Sequence, residues 1–178
     1  MTLVVLKKID VCSKQAPFGE PITFQITFQC VEDIDGVIEW KMIYIGSGES
    51  EDFDQMLGRV SIGPIPRGLN RFVFEGCAPD ITRIPHDEIV DVTVVLLIGT
   101  YKEQEFVRVG YYIRNEYTGP EQNTDSEEGA VPKELRAEDL TRVFVSNETP
   151  RVTYFPIGWT CGYTELPALE IAEEDDKE

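Results

Sequence analysis

An all-β fold, an antiparallel sandwich, is what this sequence predicts, and three observations predict it. Residues 22–30 (ITFQITFQC) alternate without a fault. Ile22, Phe24, Ile26, Phe28 and Cys30 point one way, and Thr23, Gln25, Thr27 and Gln29 the other, as a strand with one wet face requires. Other β-branched and aromatic runs recur at short intervals, separated by Gly, Pro and Asp turn signals. No helical periodicity lies between those runs, which removes the parallel α/β classes.

In chain order, residues 3–11 form a first strand, and Pro17 and Pro21 punctuate a loop ahead of the alternating one. An acidic turn over 32–36 leads to a strand over 37–45, with Ile38, Trp40, Met42 and Tyr44 on one face. The GSGESEDFD segment, 46–54, is an acidic loop. Strands follow over 56–62, closed by Gly63-Pro64-Ile65-Pro66, and over 70–75, where Phe72 and Phe74 alternate. Residues 76–86 are proline-containing loop. Cys30 and Trp40 stand as the strand-B cysteine and strand-C tryptophan of immunoglobulin domains do, yet the late strand over 106–113 holds no partner cysteine. The expectation is an immunoglobulin-like sandwich without the inter-sheet disulfide, in which Cys30 is a plain core residue.

The longest strand signal is a hairpin over 89–115, whose first half is apolar at odd and even positions alike. A three-residue turn, Lys102-Glu103-Gln104, pairs Tyr101 with Glu105 and sets Val95 opposite Tyr111, Leu97 opposite Val109 and Gly99 opposite Val107. That face is uniformly apolar and suits a core. The other face carries Val94 opposite Tyr112, Leu96 opposite Gly110 and Ile98 opposite Arg108. A slip of one residue breaks both sets. Periodicity leaves the second face two readings: covered by a helix or loop, or kept apolar for a partner.

Past the hairpin, residues 118–129 are a polar, acidic loop or insertion. Residues 132–142 predict a short helical insertion before the last strand, with Pro132 in its first turn and Leu135 and Leu140 toward one side. Strand character returns over 142–155. From Glu165 onward seven acids meet one lysine, a solvated tail. The division expected is one domain over 1–159 and an acidic tail over 160–178.

Composition narrows the function. Sixteen basic residues against 33 acidic ones give a net charge of −17. That opposes direct binding to nucleic acid, where affinity comes from neutralising phosphates, and favours basic partners. The four cysteines, at 12, 30, 77 and 161, form no C-x-x-C pair and no dense disulfide framework. With the absence of a signal-peptide pattern they point to a reducing compartment, where the Asn147-Glu148-Thr149 sequon goes unused. No apolar run approaches the ~18 residues that span a membrane. A lone histidine, His86, following a proline in a loop, is a surface residue and excludes multi-histidine metal sites. Gly46-Ser47-Gly48 fits neither a P-loop nor a nucleophile elbow, and the carboxylates after it form no calcium loop. A binding module is favoured over an enzyme, with no metal and no cofactor.

Several segments together carry a resemblance. They are Ile43-Tyr-Ile-Gly-Ser47, Glu49-Ser50-Glu51, Phe53-Asp54-Gln55, Gly63-Pro64-Ile65-Pro66, Val92-Thr-Val-Val-Leu96, QEFVRVGYY from Gln104, Asn115-Glu116-Tyr117 and Pro150-Arg151-Val152-Thr153. With them the chain resembles the anti-silencing function family of histone chaperones over nearly all of residues 1–159. The resemblance implies an elongated immunoglobulin-like sandwich that binds a histone H3–H4 dimer, blocks its tetramerisation and works in the nucleus in nucleosome assembly and disassembly. It implies an H3 surface of Ile45, Gly48, Glu49, Asp54, Glu88, Val92, Val94, Leu96, Arg108 and Tyr112. Arg151, Val152 and Thr153 would take the H4 C-terminal tail as an added strand. A second surface, for other histone chaperones, would use Asp35, Glu39, Val60, Ile62 and Phe72. Gly36, Val37 and Gly58 depart there from the acidic residues usual in the family. Ser126, in Thr-Asp-Ser-Glu-Glu, resembles an acidic-directed kinase site. The contrasting class is a generic intracellular immunoglobulin-like interaction domain with no histone role.

Overall fold

Period-two alternation makes each strand two-faced, and two such sheets bury their apolar faces against each other. The chain runs β1 (Val4–Val11), β2 (Gln15–Pro17), β3 (Ile22–Cys30), β4 (Ile38–Ile45), β5 (Asp54–Ile62), β6 (Gly68–Gly76), α1 (His86–Ile89), β7 (Val92–Tyr101), β8 (Gln104–Tyr117), β9 (Leu140–Phe144) and β10 (Arg151–Tyr154). The computed structural model describes residues 2–120, 132–145 and 149–159. One sheet has the order β1-β3-β6; the other runs β2-β9-β8-β7-β4-β5, with β10 pairing β8 beside β9. All the strand pairings are antiparallel. The predicted sandwich is therefore what the chain builds.

The core sits where the alternation put it. Phe24, Ile26 and Cys30 of β3 and Ile38, Trp40, Met42 and Tyr44 of β4 are fully buried. Trp40 lies 5.8 Å from the Phe72 ring and 6.1 Å from Phe106. Each large side chain so enclosed contributes roughly 1.5–3 kcal/mol. Cys30 is the expected core residue; its thiol donates to the Glu32 carbonyl, 2.8 Å. Buried Arg142 donates to the carbonyls of Phe18, Glu20 and Pro21, fastening the segment after β2 to β9.

Several local expectations change. The loop marked by Pro17 and Pro21 contains a three-residue strand, β2, paired to β9; three residues are too few for an alternation signal. The residues between β6 and β7 hold a 3-10 turn at Ile81–Arg83 and the one-turn α1. The helical insertion is a single 3-10 turn, Ala137–Asp139, and not a helix over 132–142. Leu140 and Arg142 belong to β9, because pairing with β8 and β2 and the burial of Leu140 and Phe144 are worth more than a marginal helix of three turns. The 142–155 region is two strands, both on β8.

The β7–β8 turn also differs. It has two residues, Lys102 and Glu103, at φ 49° and 64°, so Tyr101 faces Gln104 and Thr100 faces Glu105. Tyr101 does not face Glu105. A bulge between Gly99 and Thr100 then adds the residue that a three-residue turn would have supplied. Beyond it the pairs are the predicted ones, from Gly99–Val107 to Val94–Tyr112. The acidic tail from 160, Ser126, and Asn147 and Glu148 of the sequon lie outside the described residues.

Candidate functional site

Because side chains alternate, the residues of β4, β7 and β8 that miss the core meet on the outer face of the larger sheet. Cross-strand rows can be read from the register. Met56, Ile43, Leu96, Gly110 and Arg151 form one row across five strands. Arg59, Lys41, Ile98, Arg108 and Thr153 form the next. Asp54 pairs with Ile45, and Val94 with Tyr112. On the opposite face Val95, Leu97, Val107 and Val109 are wholly buried. The outer face is not: Val92 is 50% exposed, Met56 55% and Tyr112 39%, with Val94, Leu96, Ile43 and Ile45 half-buried. No helix or strand among the described residues packs over it. Of the two readings left open by periodicity, covering by another described segment fails.

The floor has a dip. Gly110 lacks a side chain between Leu96 and Arg151, and a Cβ there would only touch Leu96 and Val94 at ordinary contact distances, 3.5 and 3.6 Å. Toward the 46–54 segment the face deepens into an open basin of about 370 Å³, lined by Ile43, Ile45, Leu96, Ile98, Arg108 and, from that segment, Glu49, Glu51 and Asp54. Glu49 and Glu51 are exposed on its rim. Asp54 stands half-buried at its base; burial first, then the Glu51 charge, pushes its carboxyl above the usual range. Arg108 is held by Glu105 through two hydrogen bonds, 2.7 and 3.1 Å. That pairing raises its pKa and keeps the guanidinium beside the apolar floor.

Distant segments build the rim. Ser47 Oγ donates to Glu88 Oε1 at 3.0 Å, and the Glu49 backbone N–H donates to Ser47 Oγ at 3.2 Å. Thus α1, which carries Glu88, is tied to the loop after β4. The Thr93 hydroxyl donates to the Ile45 carbonyl, locking β7 to the end of β4. All ten residues of the expected H3 surface lie on this face or its rim. The expected H3 surface leaves out Ile43, Met56, Ile98, Ser47 and Glu51; the hairpin register already sets Ile98 on this face opposite Arg108, and Ile43 was in reach, two residues from Ile45 on the same strand face.

Arg151, Val152 and Thr153 lie in β10, an edge strand that pairs only β8 among the described residues. Phe155 donates its N–H to the Phe106 carbonyl, 2.9 Å. By strand alternation the main-chain groups of Val152 and Tyr154 then point away from β8, along the open edge. Val152 is 43% exposed there.

The second surface is only partly assembled. Val60, Ile62 and Phe72 are half-buried on the core side, where β5 meets β6. Asp35 is exposed in the turn before β4. Glu39 projects from the outer face of β4 and is ion-paired to Arg59 at 2.6 Å and Lys41 at 3.3 Å. Against the upward push of burial, those two partners hold its pKa below the usual value. Glu39 therefore stands apart from the Val60–Ile62–Phe72 groove. Gly58 is tightly packed: a Cβ would meet Phe74 and the β6 backbone at 3.1–3.3 Å.

Comparison with known proteins joins these observations. The sequence matches the family model described as ASF1 like histone chaperone over residues 1–160. It is 44% identical over 176 residues to histone chaperone asf1a-B of Xenopus laevis, covering 99% of this chain and 84% of that one. It is 43% identical over 170 residues to histone chaperone ASF1B of Mus musculus (96% and 81% covered) and 42% over 163 residues to histone chaperone asf1 of Drosophila melanogaster (92% and 72%).

Proposed function

Because this chain belongs to the ASF1-like histone chaperone family, a family of non-enzymatic proteins, we propose that it chaperones histones by holding an H3–H4 dimer on the outer face of its larger sheet. The observation that supports this reading is the apolar floor of Ile43, Ile45, Val92, Val94, Leu96 and Tyr112, left uncovered by the other described residues, with Glu49, Glu51 and Glu88 on its rim and Asp54 at the base of its basin. An apolar centre inside a charged rim is ordinary interface anatomy, and the acidic rim suits a basic partner.

In this reading Val94 and Leu96 bury against an apolar stripe of H3, the acids meet H3 cations, and Arg108, already charge-compensated by Glu105, meets an acidic group of the dimer. A dimer so held cannot use the same H3 surface to form a tetramer. The H4 C-terminal tail adds as a strand along the open edge of β10, which offers the outward main-chain groups of Val152 and Tyr154. The groove of Val60, Ile62 and Phe72 takes a segment of another histone chaperone, with Asp35, exposed in the turn before β4, as its acid and Glu39 acting only through its ion pairs. The work belongs in the nucleus, where H3–H4 is assembled into nucleosomes.

The test is Val94→Arg, measured by H3–H4 binding and thermal melting together. Losing the buried valine costs on the order of 1.5–3 kcal/mol, and stranding a charge in the contact costs more. The expected result is a folded variant that no longer retains H3–H4. Normal binding by that folded variant would sink the assignment of this face.

A further inference from the structure

We propose that Asn115 is a positioning residue for the acidic rim: its buried amide pins the end of α1, so that Glu88 and the Ser47–Glu49 turn are presented in one geometry to a basic partner. The proposal rests on the histone reading of that face. Asn115 is 1% exposed. Its Nδ2 donates to Tyr44 Oη at 2.9 Å and to the Ile89 carbonyl at 3.1 Å, and its backbone N–H donates to the Asp91 carbonyl at 3.2 Å. One side chain on β8 thereby joins β4 and the link from α1 to β7.

Ile89 is the last residue of α1, and Glu88 precedes it. From Glu88 the connection continues through Ser47 Oγ, 3.0 Å, to the Glu49 N–H, 3.2 Å. A helix of four residues has too few internal hydrogen bonds to hold its own orientation. The pin supplies it from behind. Asn115 does not line the basin, so it acts through Glu88 and not by contact.

The test uses Asn115→Leu in the whole chain. Amide hydrogen exchange without histone is read first: exchange speeds up over 86–91 and 47–50 while β3 keeps the protection of the parent. Uniform acceleration would make Asn115 a general stabiliser and overturn the proposal. A double-mutant cycle on H3–H4 binding follows. Glu88→Gln weakens binding about tenfold in the parent, as loss of a charged contact does, and costs almost nothing once Asn115→Leu is present. Asp54→Asn, on β5, costs the same in both backgrounds. Equal cost of Glu88→Gln in both backgrounds overturns the pin. Should Asn115→Leu fail to fold, Tyr44→Phe removes one acceptor, keeps the Ile89 bond, and gives the same pattern at smaller amplitude. If exchange changes locally but Glu88→Gln binds as the parent does, the pin stands and the histone role of Glu88 is what fails.

Discussion

Asp54 carries opposed demands. Burial and the Glu51 charge raise its pKa above the ordinary carboxylate value, so its ionised form opposes folding at every pH above the folded pKa. That opposition disappears as pH falls below the unfolded value. Asp54→Asn removes it. The variant should melt higher than the parent at neutral pH, with the gap closing in acid, while H3–H4 binding weakens because the base of the basin has lost a charge. Thermal melts across pH check this; a lower neutral melting temperature would mean that ionised Asp54 is net stabilising. At this scale the sequence was legible where alternation speaks. Val94, Leu96, Arg108 and Tyr112 share a face in any register that also keeps Val95, Leu97 and Val109 together. Glu39 was less legible: alternation with Trp40 puts it on the outer face, but nothing local says that Val60 falls opposite Trp40 on the core side or that Arg59 lies opposite Lys41, within reach of Glu39.

Among elements, β7 and β8 show how a correct register can follow from an incorrect turn. Lys102 and Glu103 lack the Asn-Gly or Asp-Gly signature of a turn with two left-handed residues. A three-residue turn was the natural reading, and the bulge at Gly99–Thr100 restored the pairing. The short α1 and β2 were hidden for a different reason: elements of three or four residues carry no periodicity. β10 carries a prediction. The Val152 N–H points along the open edge, so Val152→Pro removes a donor needed by an added strand and spares the pairing with β8. The variant should keep its melting temperature and lose the part of the H3–H4 affinity that depends on the H4 C-terminal residues. A dimer lacking those residues should bind parent and variant alike. If the variant and parent bind intact H3–H4 equally, strand addition is not how that edge is used.

For the whole molecule, a charge of −17 acts at a distance, beyond any single contact. Association with a strongly basic dimer should be steered, so its rate should fall by about tenfold or more between 0.05 and 0.5 M salt, while dissociation, set by the apolar floor, changes little. Stopped-flow mixing over that range tests it; an association rate indifferent to salt would deny steering. By itself the sequence determined the sandwich, the strands long enough to alternate, and which side chains share a face, since these follow from a period of two. Only the tertiary structure decided that the other described residues leave the outer face of β4, β7 and β8 uncovered, that Ser47 and Glu88 meet across 41 residues, and that Glu39 parts from Val60 and Ile62. The physical reason is that alternation fixes direction along one strand, whereas burial depends on what the rest of the chain brings to that face.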